Sequence, residues 1–115
     1  MTRGFIYLKK FSEKWDNLGL TDDDLNELEI YLLKNPRAGD VVRKTGGIRK
    51  LRWALPSKGK SGGIRIAYID VVIREKIYVL DLFPKNEKDN YTDAEKKALK
   101  QLVEALKKEA KKGGE

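Results

Sequence analysis

The chain has 115 residues, 40% of them apolar and 37% charged, with a net charge of +7 and neither histidine nor cysteine. That composition suits one domain with one core. It excludes disulfides, thiolate and imidazole metal sites and histidine acid–base chemistry, which leaves Lys, Tyr, Asp and Glu for proton transfer and Arg for charge stabilisation.

The first stretch, residues 4 to 9, is rich in aromatic and branched residues and predicts a short strand. Phe11, Trp15 and Leu18 then recur at helical spacing and predict a short amphipathic helix, which Leu18-Gly19-Leu20 interrupts. Thr21 opens a second helix, with Asp24 three residues on in a near capping-box arrangement. Asp22 and Asp23 suit the positive helix start. Leu25, Leu28 and Leu32 form its apolar stripe, and Asn35-Pro36 ends it.

The middle of the chain reads as sheet. Residues 47 to 54 alternate between charged and apolar. Residues 64 to 73 are β-branched and long for a strand, and residues 77 to 83 form another. The polar Arg74-Glu75-Lys76 turn between the last two makes them antiparallel neighbours. Pro84 ends that strand. Thr92 with Glu95 forms a capping box for a last helix, whose apolar face is Ala98, Leu99, Leu102, Val103 and Leu106. Its charged tail, KKEAKKGGE, should fray. The order β-α-α-β-β-β-α predicts a single α+β domain over residues 1–115, with helices packed on one face of a small antiparallel sheet. No apolar run reaches the roughly 18 to 20 residues of a membrane span. The start is also too short in apolar residues for a secretory signal, so a cytoplasmic protein without membrane association is expected.

The charge is not spread evenly. Between Val41 and Ile69 stand eight basic residues and no acid, while the other 86 residues carry 17 basic and 18 acidic groups. A concentrated positive field attracts polyanions such as nucleic acid. Lys44, Arg49, Lys58 and Lys60 belong to this stretch and are candidate RNA contacts. Alternation sorts the rest. In GIRKLRWA, Leu51 and Trp53 require burial, so Lys50 and Arg52 stand together on the opposite face. In the next strand, Arg65 joins them if Ile64, Ile66 and Tyr68 turn inward, a choice the residues alone leave open. Like charges side by side on a sheet repel, so such a cluster suits a bound anion better than it suits folding. The competing explanation is an ordinary solvated basic surface.

Two further stretches carry candidates. PSKGKSGG, residues 56 to 63, lets backbone N–H groups approach a ligand, and Lys58 and Lys60 could clamp a phosphate. It lacks the spacing of a Walker A loop. FPKNEKDN, residues 83 to 90, places Lys85, Asn86 and Glu87 where a strand gives way to a loop, a common position for functional groups.

G-D-V-V-x-x-T-G-G-I-R-K-L-R, K-G-K-S-G-G-I-R-I-A-Y and F-P-K-N-E-K-D-N, in this order, resemble the HigB-type branch of the RelE/ParE toxin superfamily. The resemblance implies the toxin of a type II toxin–antitoxin pair, and for its RNA-cleaving members a ribosome-dependent endoribonuclease that cuts the mRNA codon in the A site of the 30S subunit. It implies no cofactor and no metal. The implied partners are a cognate antitoxin, a helix-turn-helix protein that also brings the pair to operator DNA, together with the ribosome and mRNA. It implies catalytic roles for Lys50, Arg52, Arg65 and Lys85; Asn86 and Glu87, beside Lys85 at the strand end, are candidate RNA contacts. Some RelE members carry Arg or His where Asn86 stands, and their C-terminal catalytic Tyr falls near Tyr91 or Thr92.

Cleavage without a metal uses the RNA's 2′-hydroxyl as nucleophile. Arg52 and Arg65 suit charge stabilisation, because a guanidinium meets phosphate in a bidentate fork. Lys50 could be the base if neighbouring cations lower its pKa, with Glu87 a competing base, and Lys85 could be a stabiliser or the acid. Two alternatives share parts of this reading: a ParE-like gyrase poison and a non-catalytic RNA-binding module.

Overall fold

A computed structural model describes residues 4–55, 63–72, 75–84 and 91–113. The order is β1 (Gly4–Tyr7), α1 (Lys9–Asn17), α2 (Asp22–Lys34), β2 (Asp40–Val41), β3 (Arg49–Trp53), β4 (Ile64–Val71), β5 (Lys76–Pro84) and α3 (Asp93–Gly113). The helix starts follow local chemistry. The Thr21 side chain accepts from the Asp24 N–H, and the Asp24 carboxylate accepts from the Thr21 N–H. Thr92 and Glu95 repeat this exchange before α3. The last helix continues to Gly113, into the segment whose charge suggests a fraying end.

The strands form one five-stranded sheet in the order β1-β5-β4-β3-β2. The α+β class is as the pattern predicts, and β2–β3, β3–β4 and β4–β5 are antiparallel. Two points differ. The outer strand β1 runs parallel to β5, because the α1–α2 hairpin and three further strands intervene before the chain returns beside it. The two-residue edge strand β2 is too short for any alternation to announce it.

The helices also do not share one face. Phe11 and Trp15 of α1 and Leu28 and Leu32 of α2 pack on Leu51, Ile64, Ile66, Tyr68, Ile77, Val79 and Leu82. Val103 and Leu106 of α3 pack on the opposite face, against Ile48, Ala67, Ile69, Val71, Tyr78, Leu80 and Phe83. The reason lies in the central strands. β4 and β5 are apolar on both sides and require cover on both. Between Val79 and Asp81, Leu80 is an extra residue opposite the Ala67–Tyr68 step, so Leu80 and Asp81 both turn towards α3.

Candidate active site

Strand register arranges the polar residues of the α3 face in rows. One row crosses the sheet as Asp40, Lys50, Ala67 and Asp81, taken from β2, β3, β4 and β5. The next row is Arg52, Arg65 and Phe83. Ile64, Ile66 and Tyr68 do turn towards α1 and α2, and this puts Arg65 on the same side as Lys50 and Arg52. The choice left open by the sequence is settled by the apolar hairpin on the other face.

α3 covers one end of this face and leaves the rest exposed as a cleft of about 470 Å³. Asp40, Val41, Val42, Arg43, Lys50, Arg52, Arg65, Tyr91 and Lys96 line it. Among the described residues this lining holds five cations and one carboxylate. Arg52 is exposed, and Lys50 and Arg65 are half-buried.

Tyr91, at the entry to α3, forms the inner wall. Its ring meets Phe83 edge to face at 5.7 Å between centroids. Lys50 Nζ lies 5.4 Å from its centre on the cleft side, an arrangement that suits a cation. Ala67, the small residue between Lys50 and Asp81 in its row, belongs to the apolar cluster against which Tyr91 packs. Burial pushes the Tyr91 phenol well above its usual range, and the Asp81 and Glu95 carboxylates push the same way. The phenol therefore keeps its proton at neutral pH.

Behind Tyr91, the Asp81 carboxylate binds Lys14 at 2.8 Å and Lys10 at 3.2 Å and accepts from the Leu82 N–H. Lys14 also donates to the Leu82 carbonyl and lies 5.2 Å from the Phe83 ring centre. α1 thus fixes the strand that supports Tyr91.

Not every predicted site residue joins the cleft. Arg49 alternates to the other face, where its guanidinium donates to the carbonyls of Gly39, at 2.7 Å, and Arg37. There it holds the α2–β2 connection, away from the cleft it was expected to join as an RNA contact. Lys44 is exposed in the turn before β3, at a φ of 65°, and does not line the cleft. Lys58, Lys60, Lys85, Asn86 and Glu87 lie outside the described residues. Conversely, Arg43, Lys96 and Asp40 line the cleft without having been singled out. Arg43 sat within the acid-free stretch and could have been weighed with it. Lys96 gave no signal, being one charge among many on α3.

Residues 6–113 match the family model described as RelE toxin of RelE / RelB toxin-antitoxin system. Among solved structures, the free form of a doubly substituted E. coli toxin RelE aligns with a TM-score of 0.55 and 16% identity, covering 75% of this chain and 86% of that one. The mixed sheet flanked by a helical hairpin and a terminal helix is therefore the fold of a toxin from a toxin–antitoxin pair. This chain belongs to the RelE toxin family, and membership implies an antitoxin as its partner.

Proposed function

We propose that this toxin is a ribosome-dependent mRNA endoribonuclease that cuts the A-site codon without a metal ion, and that the cleft holds the scissile phosphate. The observation that carries this reading is the meeting of Lys50, Arg52 and Arg65, from two neighbouring strands, on one cleft. Arg52 directly faces Arg65 across the β3–β4 ladder, so two guanidinium groups share one face of the sheet. A phosphodiester is an anion, and two guanidinium forks fit its non-bridging oxygens.

Attack by the 2′-hydroxyl on phosphorus builds negative charge on the equatorial oxygens. Arg52 and Arg65 meet that charge without reorganisation, which is where electrostatic stabilisation is worth most. Lys50, packed on Tyr91, brings an ammonium to the departing 5′-oxygen and supplies its proton. Lys85 is a further candidate stabiliser. A chain without histidine is poorly matched to acid–base work at neutral pH, and ribosomal positioning of the codon supplies what it lacks, on the order of 7 to 11 kcal/mol.

The G-D-V-V-x-x-T-G-G-I-R-K-L-R stretch supports placing the chain in the HigB-type branch, with a helix-turn-helix antitoxin. The test is induced expression of wild type and of the Arg65→Ala, Lys50→Ala double variant, with mapping of mRNA ends on translated and untranslated messages. Cuts confined to translated messages, and lost in the double variant, are expected. DNA damage with intact mRNA would instead mark a gyrase poison, and salt-sensitive RNA binding without cut ends a binding module.

A further inference from the structure

The cleft contains one feature that phosphate binding does not require. Among the described residues, a single carboxylate, Asp40, stands in the ring of cations. Asp40 pairs directly with Lys50 across the β2–β3 ladder, so the two side chains leave the same face of the sheet. Their Cβ atoms are about 5 Å apart by that pairing. Asp40 is exposed on the edge strand, two strands from Arg65. At an interstrand spacing of about 4.8 Å, the two backbones are separated by roughly 10 Å. Asp40 thus shares one cleft with the two guanidinium groups that would hold the phosphate.

Among the described residues of the cleft, the other proton acceptors can be taken in turn. The chain has no histidine or cysteine, so the base is a Lys, Tyr, Asp or Glu. Lysine is an ammonium at neutral pH, and Lys50 is set where a cation is favoured, over the Tyr91 ring and across from Asp40. The Tyr91 phenol is held in its protonated form by burial. A carboxylate is ionised at neutral pH and accepts a proton without first losing one. Its charge also weakens phosphate binding, a cost that a part in the reaction would offset.

We propose, resting on the ribonuclease reading of this cleft, that Asp40 is the general base for the attacking 2′-hydroxyl. The 2′-hydroxyl proton passes to an Asp40 oxygen as the 2′-oxygen bonds to phosphorus. The P–O5′ bond breaks, and Lys50 protonates the departing 5′-oxygen. The products are a 2′,3′-cyclic phosphate and a 5′-hydroxyl. Proton exchange with water restores both residues, and no oxidant, reductant or metal is needed. Among the described residues, the charged and titratable groups that line the cleft with Asp40 are Arg43, Lys50, Arg52, Arg65, Tyr91 and Lys96.

The simpler explanation, that Asp40 only steadies Lys50 through opposite charge, predicts different chemistry and so can be separated. The test is single-turnover cleavage on ribosomes programmed with the same mRNA, using wild type, Asp40→Asn, Asp40→Glu and Lys50→Ala. Each is run on an all-oxygen substrate and on one with sulfur at the bridging 5′ position, a leaving group that needs no acid. Asp40→Asn should cut the all-oxygen message 10²- to 10⁴-fold more slowly, the range for losing a general base or acid. It should still bind a 2′-O-methyl message on the ribosome at least as tightly as wild type, and Asp40→Glu should recover part of the rate. The 5′-sulfur should restore Lys50→Ala and leave Asp40→Asn slow. Wild-type rates for Asp40→Asn, or its rescue by the 5′-sulfur, overturn the assignment. So does loss of cleavage in Glu87→Gln alongside an active Asp40→Asn. If wild type cuts neither message, the ribonuclease reading itself fails, an outcome distinct from all of these.

Discussion

Two guanidinium groups set directly across a strand pair repel one another, and Arg52 and Arg65 stand in that relation. On the proposed reading, Arg52 serves the bound phosphate and not the fold. Replacing Arg52 by Gln should therefore leave stability unchanged or raise it by a few tenths of a kcal/mol, on the order of one cross-strand pair. The same change should lower mRNA cleavage by about 10²-fold, as for other lost transition-state donors. Denaturation midpoints and single-turnover rates on one preparation check both; a destabilised Arg52→Gln would show the arginine to be structural. The buried tyrosines make a second prediction. Tyr7, bonded to Glu29, and Tyr68 and Tyr91 all have phenols raised above the ordinary value of 10.0, chiefly by burial. Their contribution to stability is complete below that value. It is lost as pH rises further, because the unfolded chain ionises first. Urea midpoints should be flat from pH 7 to about pH 9.5 and fall steeply above about pH 10. A midpoint unchanged at pH 11 would contradict this.

At the scale of elements, what the sequence revealed depended on whether the signal was local. The Thr21–Asp24 and Thr92–Glu95 exchanges lie within four residues, and both helix starts could be read from them. β3 declared its faces because only one of its alternating sets, Leu51 and Trp53, is apolar. β4 did not, because Ile64, Ile66 and Tyr68 compete with Ala67, Ile69 and Val71 for the core. Only the packing of α1 and α2 on one side and α3 on the other decides the position of Arg65. Tyr91, Lys96 and Asp40 reach the cleft through tertiary packing of α3 and the short edge strand, which no periodicity encodes. The docking of α3 can itself be tested. Gly46 has a φ of +82°, and a Cβ there would sit 3.1 Å from Val103 Cγ1. The Lys107 ammonium donates to the Gly46 carbonyl at 3.0 Å. Gly46→Ala should cost about 1–2 kcal/mol from the left-handed backbone alone. It should also loosen the helix that walls the cleft, seen as faster amide exchange along α3.

Across the whole molecule, the sheet divides the work. One face, under α1 and α2, is apolar and structural, and Tyr68 ties it down by donating to the Pro36 carbonyl and accepting from the Gly39 N–H. The other is half covered by α3 and half left to a cationic cleft. The net charge of +7 arises from the stretch that supplies β3, β4 and their connections. Binding to a non-cleavable message should therefore weaken linearly on a log–log plot against salt, and each of Arg52 and Arg65 replaced by a neutral residue should lower the slope by about 0.7. Outside the stretch from Val41 to Ile69 the 17 basic and 18 acidic groups nearly cancel, so replacing exposed lysines of α1 such as Lys9 should leave that slope unchanged. The central claim is that this cleft cuts RNA. Its most direct measurement is the identity of the mRNA ends formed on programmed ribosomes by purified toxin. Breaks inside the A-site codon, ending in 2′,3′-cyclic phosphate and 5′-hydroxyl and absent with Arg65→Ala, Lys50→Ala, are the expected result. Intact message with active, folded toxin, or undiminished cutting by that double variant, would contradict it.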